Sequence, residues 1–140
     1  PHFEPAQKKM TLGGVQFGID YGITNDSGIV SESESISIIR NAITEGIEYI
    51  DTAAAYGSSE KVISKALMGG WSNRVKVITK LSPFREEELK ENHGASLSLM
   101  VRNSFLQSCV NLRVDYLDTL MLQELIHLER LAKYTSPKHI

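Results

Sequence analysis

Asp51, Tyr56 and Lys80 are an acid, a phenol and an amine, each placed just past a short apolar run of β-like composition. If those runs are neighbouring parallel strands, the three side chains converge, and the group suits proton transfer to a carbonyl oxygen. Reducing a carbonyl by hydride requires a proton donor at oxygen while hydride arrives at carbon. A phenol, with an ordinary pKa near about 10, is a sluggish acid at neutral pH. A lysine ammonium beside it stabilises the phenolate, by up to about 4 kcal/mol at about 4 Å and an effective dielectric of about 20. A carboxylate next to the lysine keeps the ammonium charged and oriented. Taken singly, each residue has a plainer explanation. An Asp at a strand end commonly forms a turn, a loop Tyr packs, and a strand-terminal Lys points to water.

The elements that must hold this trio alternate short apolar runs with amphipathic ones, which predicts βα repetition and a parallel sheet. Met10 to Gly18 is Gly-punctuated and β-like, and Ile19 to Val30 is a long loop of turn formers. Ser31-Glu-Ser-Glu34 is a capping box, followed by Ile36, Ile39 and Ile43 on one helical face and by Gly46 as a left-handed stop. Ile47 to Ile50 is the second strand, ending at Asp51. Ser58 or Ser59 can cap the next helix, whose stripe is Val62, Ile63, Ala66 and Leu67 before Gly69-Gly70. Val75 to Thr79 is the third strand, with Lys80 at its terminus. Arg85 to Glu91 is loop or the exposed start of a helix. Val101, Phe105, Cys109 and Leu112 place a further helix between about Ser96 and Leu112, and Tyr116 to Leu122 is the fourth strand. In the tail, Leu125, Leu128 and Leu131 share a helical face. Three strands thus end at Asp51, Lys80 and Gln123, and in parallel α/β folds the strand C-termini are where sites assemble.

A chain of 140 residues, 41% hydrophobic and 23% charged, suits one globular domain with a real core. Its net charge of −2 advertises no basic face for nucleic acid or anionic lipid. The densest basic group, Lys61, Lys65, Arg74 and Lys76, reads as solvated surface. No apolar run approaches the roughly 20 residues that span a bilayer. The one cysteine, Cys109, excludes an internal disulfide framework, fits a reducing, cytoplasmic setting, and lies among apolar residues as packing rather than as a nucleophile. No metal-ligand set is expected. The chain begins with Pro1, so its start reads as processed or trimmed, and a removed targeting segment stays open.

Asp51-Thr52-Ala53, Tyr56-Gly57 and Ser59-Glu60, with Lys80 closing a Val- and Ile-rich strand, resemble the active-site signature of the aldo-keto reductase superfamily in order, type and spacing. Leu12-Gly13-Gly14-Val15-Gln16-Phe17-Gly18 resembles that family's first strand, and Asn111-Leu-Arg-Val-Asp-Tyr-Leu-Asp118 its approach to the fourth. The resemblance covers about residues 10–123. It implies an eight-stranded (β/α) TIM barrel, of which this chain holds about four βα units with parallel strands in sequential order. It implies Tyr56 as general acid, Lys80 as the partner that acidifies it, and Asp51 as the group orienting both. It implies NADPH as cofactor, with Gly13, Gly14 and Asp51 near its nicotinamide, and a small aldehyde, ketone or sugar as substrate.

Two departures from the family pattern bear on function. Where the family usually has histidine at the end of strand four, this chain has Gln123, which can donate a hydrogen bond but cannot carry a proton or a positive charge. His127 is read as a surface or packing residue. Nothing after Gln123 resembles the family's clamp on the cofactor phosphates or the ring that stacks on the nicotinamide. The expectation is therefore three segments: an N-terminal extension (1–9), a half-barrel (10–123) and a divergent tail (124–140). The half-barrel holds the proton-transfer half of a reductase site and lacks most of the hydride-donor half, as a truncated and by itself inactive form would. The alternative of another class is a non-catalytic interaction module. Four strands of eight leave two open sheet edges, through which the chain would self-associate or bind a full-length relative. A third reading, a small flavodoxin-like sheet, is decided by strand order, since it requires a reversal.

Overall fold

The computed structural model describes residues 10–20, 28–91 and 94–123. Four strands, β1 (Thr11–Gly13), β2 (Tyr49–Asp51), β3 (Lys76–Lys80) and β4 (Thr119–Met121), form one sheet. Every neighbouring pair is parallel and the order is β1-β2-β3-β4. Sequential order without reversal removes the flavodoxin-like reading and agrees with the barrel-type winding expected. Helices α1 (Glu32–Thr44), α2 (Ser59–Ala66) and α4 (Ala95–Leu112) make the crossovers, with a short α3 (Glu86–Glu91) before α4.

Local chemistry explains the first crossover. The Ser31 hydroxyl accepts from the Glu34 backbone N–H at 3.3 Å, which satisfies one of the orphan donors at the start of α1. Ile39 and Ile43 are buried, and Gly46 sits at φ +100° just past the helix end. The stripe of α2, Val62, Ile63, Ala66 and Leu67, is buried in full. These residues join Phe17, Ile50, Val75, Val77 and Leu112 in the main core between sheet and helices. Each such side chain contributes about 1.5–3 kcal/mol by leaving water.

Several sequence-based boundaries are corrected. The β-like run Met10 to Gly18 is strand only at Thr11–Gly13; Val15–Phe17 is a 3-10 turn that drops Phe17 into the core. Alternating Val-Gln-Phe suits either conformation, and burial of the ring decides. The third strand is Lys76–Lys80, one residue later than expected, and includes Lys80 itself. Neither Ser58 nor Ser59 caps α2 with its side chain, because the Ser59 hydroxyl is engaged elsewhere. Arg85 to Glu91 resolves into helix at Glu86–Glu91. On α4, Cys109 and Leu112 are buried while Val101 and Phe105 are only half-buried. The expected strand Tyr116 to Leu122 shrinks to Thr119–Met121, exposed along its length. Among the described residues it pairs with β3 alone. The tail stripe Leu125, Leu128 and Leu131, and His127, lie outside the described residues.

The basic residues Lys65, Arg74 and Lys76 are engaged separately. Lys65 pairs with Glu32 at 2.7 Å, Arg74 stacks over Trp71 and Lys76 over Tyr49. Cys109 is buried, and burial pushes its thiol above the ordinary range, helped by the negative charges of Glu60 and Asp115. A thiol held protonated is a poor nucleophile, in keeping with a packing role. Among the described residues no helix is long and apolar enough to cross a membrane, and no cluster of His, Cys, Asp or Glu could hold a metal ion.

Candidate active site at the strand C-termini

Asp51 closes β2 and Lys80 closes β3. Asp51 lies opposite Ile78 in the ladder, so Lys80 stands two residues further along the same face. Its ammonium reaches back and donates to Asp51 Oδ1 at 2.6 Å and to the Thr52 carbonyl at 3.0 Å. The same nitrogen lies 5.1 Å from the centroid of the Tyr56 ring. The Lys80 side chain is largely buried while Asp51 remains about one-third exposed, which leaves the site open to a small molecule. The three residues singled out from the sequence are therefore brought together.

The loop that carries Tyr56 is short and held by its own backbone. Tyr56 N–H donates to the Ala53 carbonyl at 3.0 Å, Ser59 N–H to the Tyr56 carbonyl at 3.0 Å, and Ala54 N–H to the Lys80 carbonyl at 3.2 Å. Gly57, at φ +54°, packs against Gly18, and a Cβ on either glycine would collide with backbone of the other segment. This glycine-on-glycine contact seats the tyrosine loop on the turn after β1.

A buried polar layer lies beneath the trio. The Ser59 hydroxyl donates to the Gly14 carbonyl at 2.7 Å, so the Thr52 hydroxyl, 2.8 Å away, donates to Ser59. Glu60 accepts from the Thr79 hydroxyl and from the Asn111 amide. Sequence reasoning took Ser59 only as a possible helix cap, quoted Glu60 and Asn111 within motifs without a site role, and passed over Thr79, Gly18 and Gly57 as site residues. A polar Ser-Glu pair at the start of an otherwise apolar buried helix face was the available signal.

Gly13 and Gly14 separate. Gly14 N–H donates to the Asp51 carbonyl at 2.7 Å, and a Cβ there would press on Asp51, Ser59 and Ile63, so internal packing accounts for it. Gly13 lies opposite Asp51 in the ladder, and a Cβ there would meet nothing within 4 Å. The free space beside Asp51 is thus at Gly13. Gln123 follows β4 two residues past Met121, the ladder partner of Lys80. Among the described residues its Oε1 is buried with no hydrogen-bond partner.

At this end the space beside Asp51 at Gly13 leaves room for a planar ring. Among the described residues the cation at this end, Lys80, is held by Asp51, and Arg85 in the loop after β3 lies 3.4 Å from Glu88. A cleft of about 530 Å³ lies at the opposite end of the sheet, between Arg74–Val77 and Arg113–Asp118. It contains none of the acid, phenol and amine, so its size does not make it the reaction site.

The sequence model of the Aldo/keto reductase family matches residues 9–127. A solved structure from Pseudomonas aeruginosa, assigned as an aldo-keto reductase, is 26% identical with a TM-score of 0.63, over 89% of this chain and 47% of that one. An aldo-keto reductase from Bacillus halodurans, solved in its holo form, is 21% identical with a TM-score of 0.56, over 89% of this chain and 42% of that one. This second likeness supports the fold alone. The chain spans about half the length of these solved structures.

Proposed function

Because this chain belongs to the Aldo/keto reductase family, we propose that it carries the proton-transfer half of an NADPH-dependent site that interconverts a small aldehyde, ketone or sugar carbonyl with its alcohol. Tyr56 donates its phenolic proton to the carbonyl oxygen. Lys80 stabilises the phenolate that forms, and Asp51 and the Thr52 carbonyl hold the ammonium in place. Water returns the proton to the phenolate afterwards. NADPH, held beside Gly13 and Asp51, would supply the hydride for the carbonyl carbon. The Gln123 amide orients the substrate, its Nε2 donating to the carbonyl and its Oε1, without a partner among the described residues, accepting from a substrate hydroxyl. The observation that carries this reading is Lys80 Nζ lying at once 2.6 Å from Asp51 and 5.1 Å from the Tyr56 ring centroid.

The phosphate holders are absent from the described strand ends, so the 140-residue chain is expected to give no heat with submillimolar NADPH in isothermal titration. A chimera tests the chemistry. In it, residues 10–123 replace the matched portion of the Pseudomonas aeruginosa protein, and it should consume NADPH when an aromatic aldehyde is added. A folded chimera that binds NADPH but reduces no carbonyl would remove the assignment.

A second reading, a non-catalytic module that associates with itself or with a longer relative, is favoured by one observation. Leu120 and Met121 on strand β4, and Leu106 and Val110 on helix α4, are each exposed. Size-exclusion chromatography with light scattering should then show dimer at tens of micromolar chain, whereas a clean monomer at high concentration counts against it.

A further inference from the structure

We propose that Glu60 is a positioning residue for Lys80, acting through Thr79. Glu60 is the second residue of α2, where the helix N-terminus favours an anion, and it is 2% exposed. Each carboxylate oxygen has one donor: Oε1 takes the Thr79 hydroxyl at 2.8 Å and Oε2 the Asn111 amide at 2.9 Å. Among the described residues no cation pairs with it. A buried carboxylate held only by neutral donors and a helix terminus is sensitive to their loss, since an unpaired buried charge costs several kcal/mol.

The geometry shows what this arrangement governs. Successive side chains of a strand point to opposite faces, so Thr79 projects toward the helices and Lys80 toward the reaction side. Fixing the Thr79 hydroxyl on α2 fixes the roll of β3 about its own axis at its last residue but one. That roll sets the direction in which the long lysine stem leaves the strand. A displacement of about 1 Å at a reacting group costs about 100-fold in rate, so a small roll matters. The second donor widens the effect. Asn111 is the last residue but one of α4, two before the left-handed turn at Arg113, and β4 then returns beside β3, where Leu81 N–H donates to the Met121 carbonyl at 2.9 Å. Ser59, the residue before Glu60, makes the corresponding bonds to the ends of β1 and β2 through Gly14 and Thr52. The first turn of α2 thus bolts the ends of three strands, and Glu60 is the bolt on the strand that carries the amine. The inference rests on the carbonyl-reduction reading only for the use made of Lys80; the coupling itself needs neither cofactor nor substrate.

The test is therefore made on the 140-residue chain without ligand. With its nitrogen 5.1 Å from the Tyr56 ring centroid, Lys80 should show ring-current-shifted ε-methylene protons in lysine-labelled NMR spectra. Their absence in Lys80→Met assigns them. Glu60→Gln keeps the shape and bridges the same partners, because a threonine hydroxyl accepts as readily as it donates; the shifted signals should stay. In Glu60→Ala and in Thr79→Val, which removes one donor at nearly constant volume, the signals should move toward the positions of a solvent-exposed lysine. A general loss of stability leaves the spectrum of the remaining folded molecules unchanged, so it does not mimic this result. If Glu60→Ala fails to fold, Thr79→Val decides. Either variant folded, with the Lys80 signals in place, overturns the proposal. A reductase assay that fails while the NMR result holds removes the reductase reading and leaves the coupling standing.

Discussion

Tyr56→Phe should lower kcat for carbonyl reduction by about 100- to 10,000-fold in a preparation competent for turnover, with NADPH affinity unchanged, as expected for loss of a general acid. The substitution removes one oxygen and keeps the ring. The contact between the Lys80 ammonium and that ring is therefore preserved, and so is the ammonium's hold on Asp51. What disappears is the proton delivered to the substrate oxygen, an interaction realised in the transition state, so kcat and kcat/KM should fall together while cofactor binding persists. Steady-state rates beside a cofactor titration measure both. Wild-type turnover in the phenylalanine variant would take Tyr56 out of the acid role and leave the convergence of Asp51 and Lys80 as structural.

Gly18→Ala should destabilise the fold more than a surface substitution can, and it should do so by unseating the tyrosine loop. A Cβ on Gly18 runs into the Tyr56 carbonyl and the Ser59 backbone nitrogen, and neither can swing aside as a side-chain tip can. Overpacking of this kind costs about 1–3 kcal/mol or more, which for a chain of this size lowers Tm by roughly 5–10 °C. Gly13→Ala is the matched control, since its Cβ meets nothing within 4 Å and its melting temperature should stay within about 2 °C of wild type. Thermal unfolding followed by circular dichroism distinguishes the two. Equal melting temperatures for Gly18→Ala and the wild type would mean that the two backbone segments do not touch as described.

Much of the architecture was legible because it depends on neighbours in sequence. The capping serine at 31, the isoleucine face of α1 and the buried stripe of α2 follow from helical periodicity and terminal hydrogen bonding, which operate within a few residues. The alternation of strands and helices carried the parallel sheet, while its sequential order was implied by the family resemblance. Boundaries were less legible. Val15-Gln16-Phe17 has the alternation of a strand, yet Phe17 reaches the core only if the backbone turns after Gly13. At the other end, β4 is shorter than its apolar run, for only Thr119–Met121 find ladder partners, in the last three residues of β3. The serine expected to cap α2 is committed to Gly14 and Thr52, a tertiary use that outcompetes a local one.

Asp51, Tyr56 and Lys80 were determined as candidates by the chain alone, since each follows an apolar run and parallel winding brings such ends to one side of a sheet. What only the folded molecule decided is how they are held. The contact of Gly18 with Gly57 and the bonds from Glu60 to Thr79 and Asn111 join residues far apart in sequence, and their existence depends on backbone approaches that no local pattern encodes. Residue type and spacing select which groups can meet. Close packing of distant segments, where a single methyl group or hydroxyl changes the fit, sets the distance at which they do.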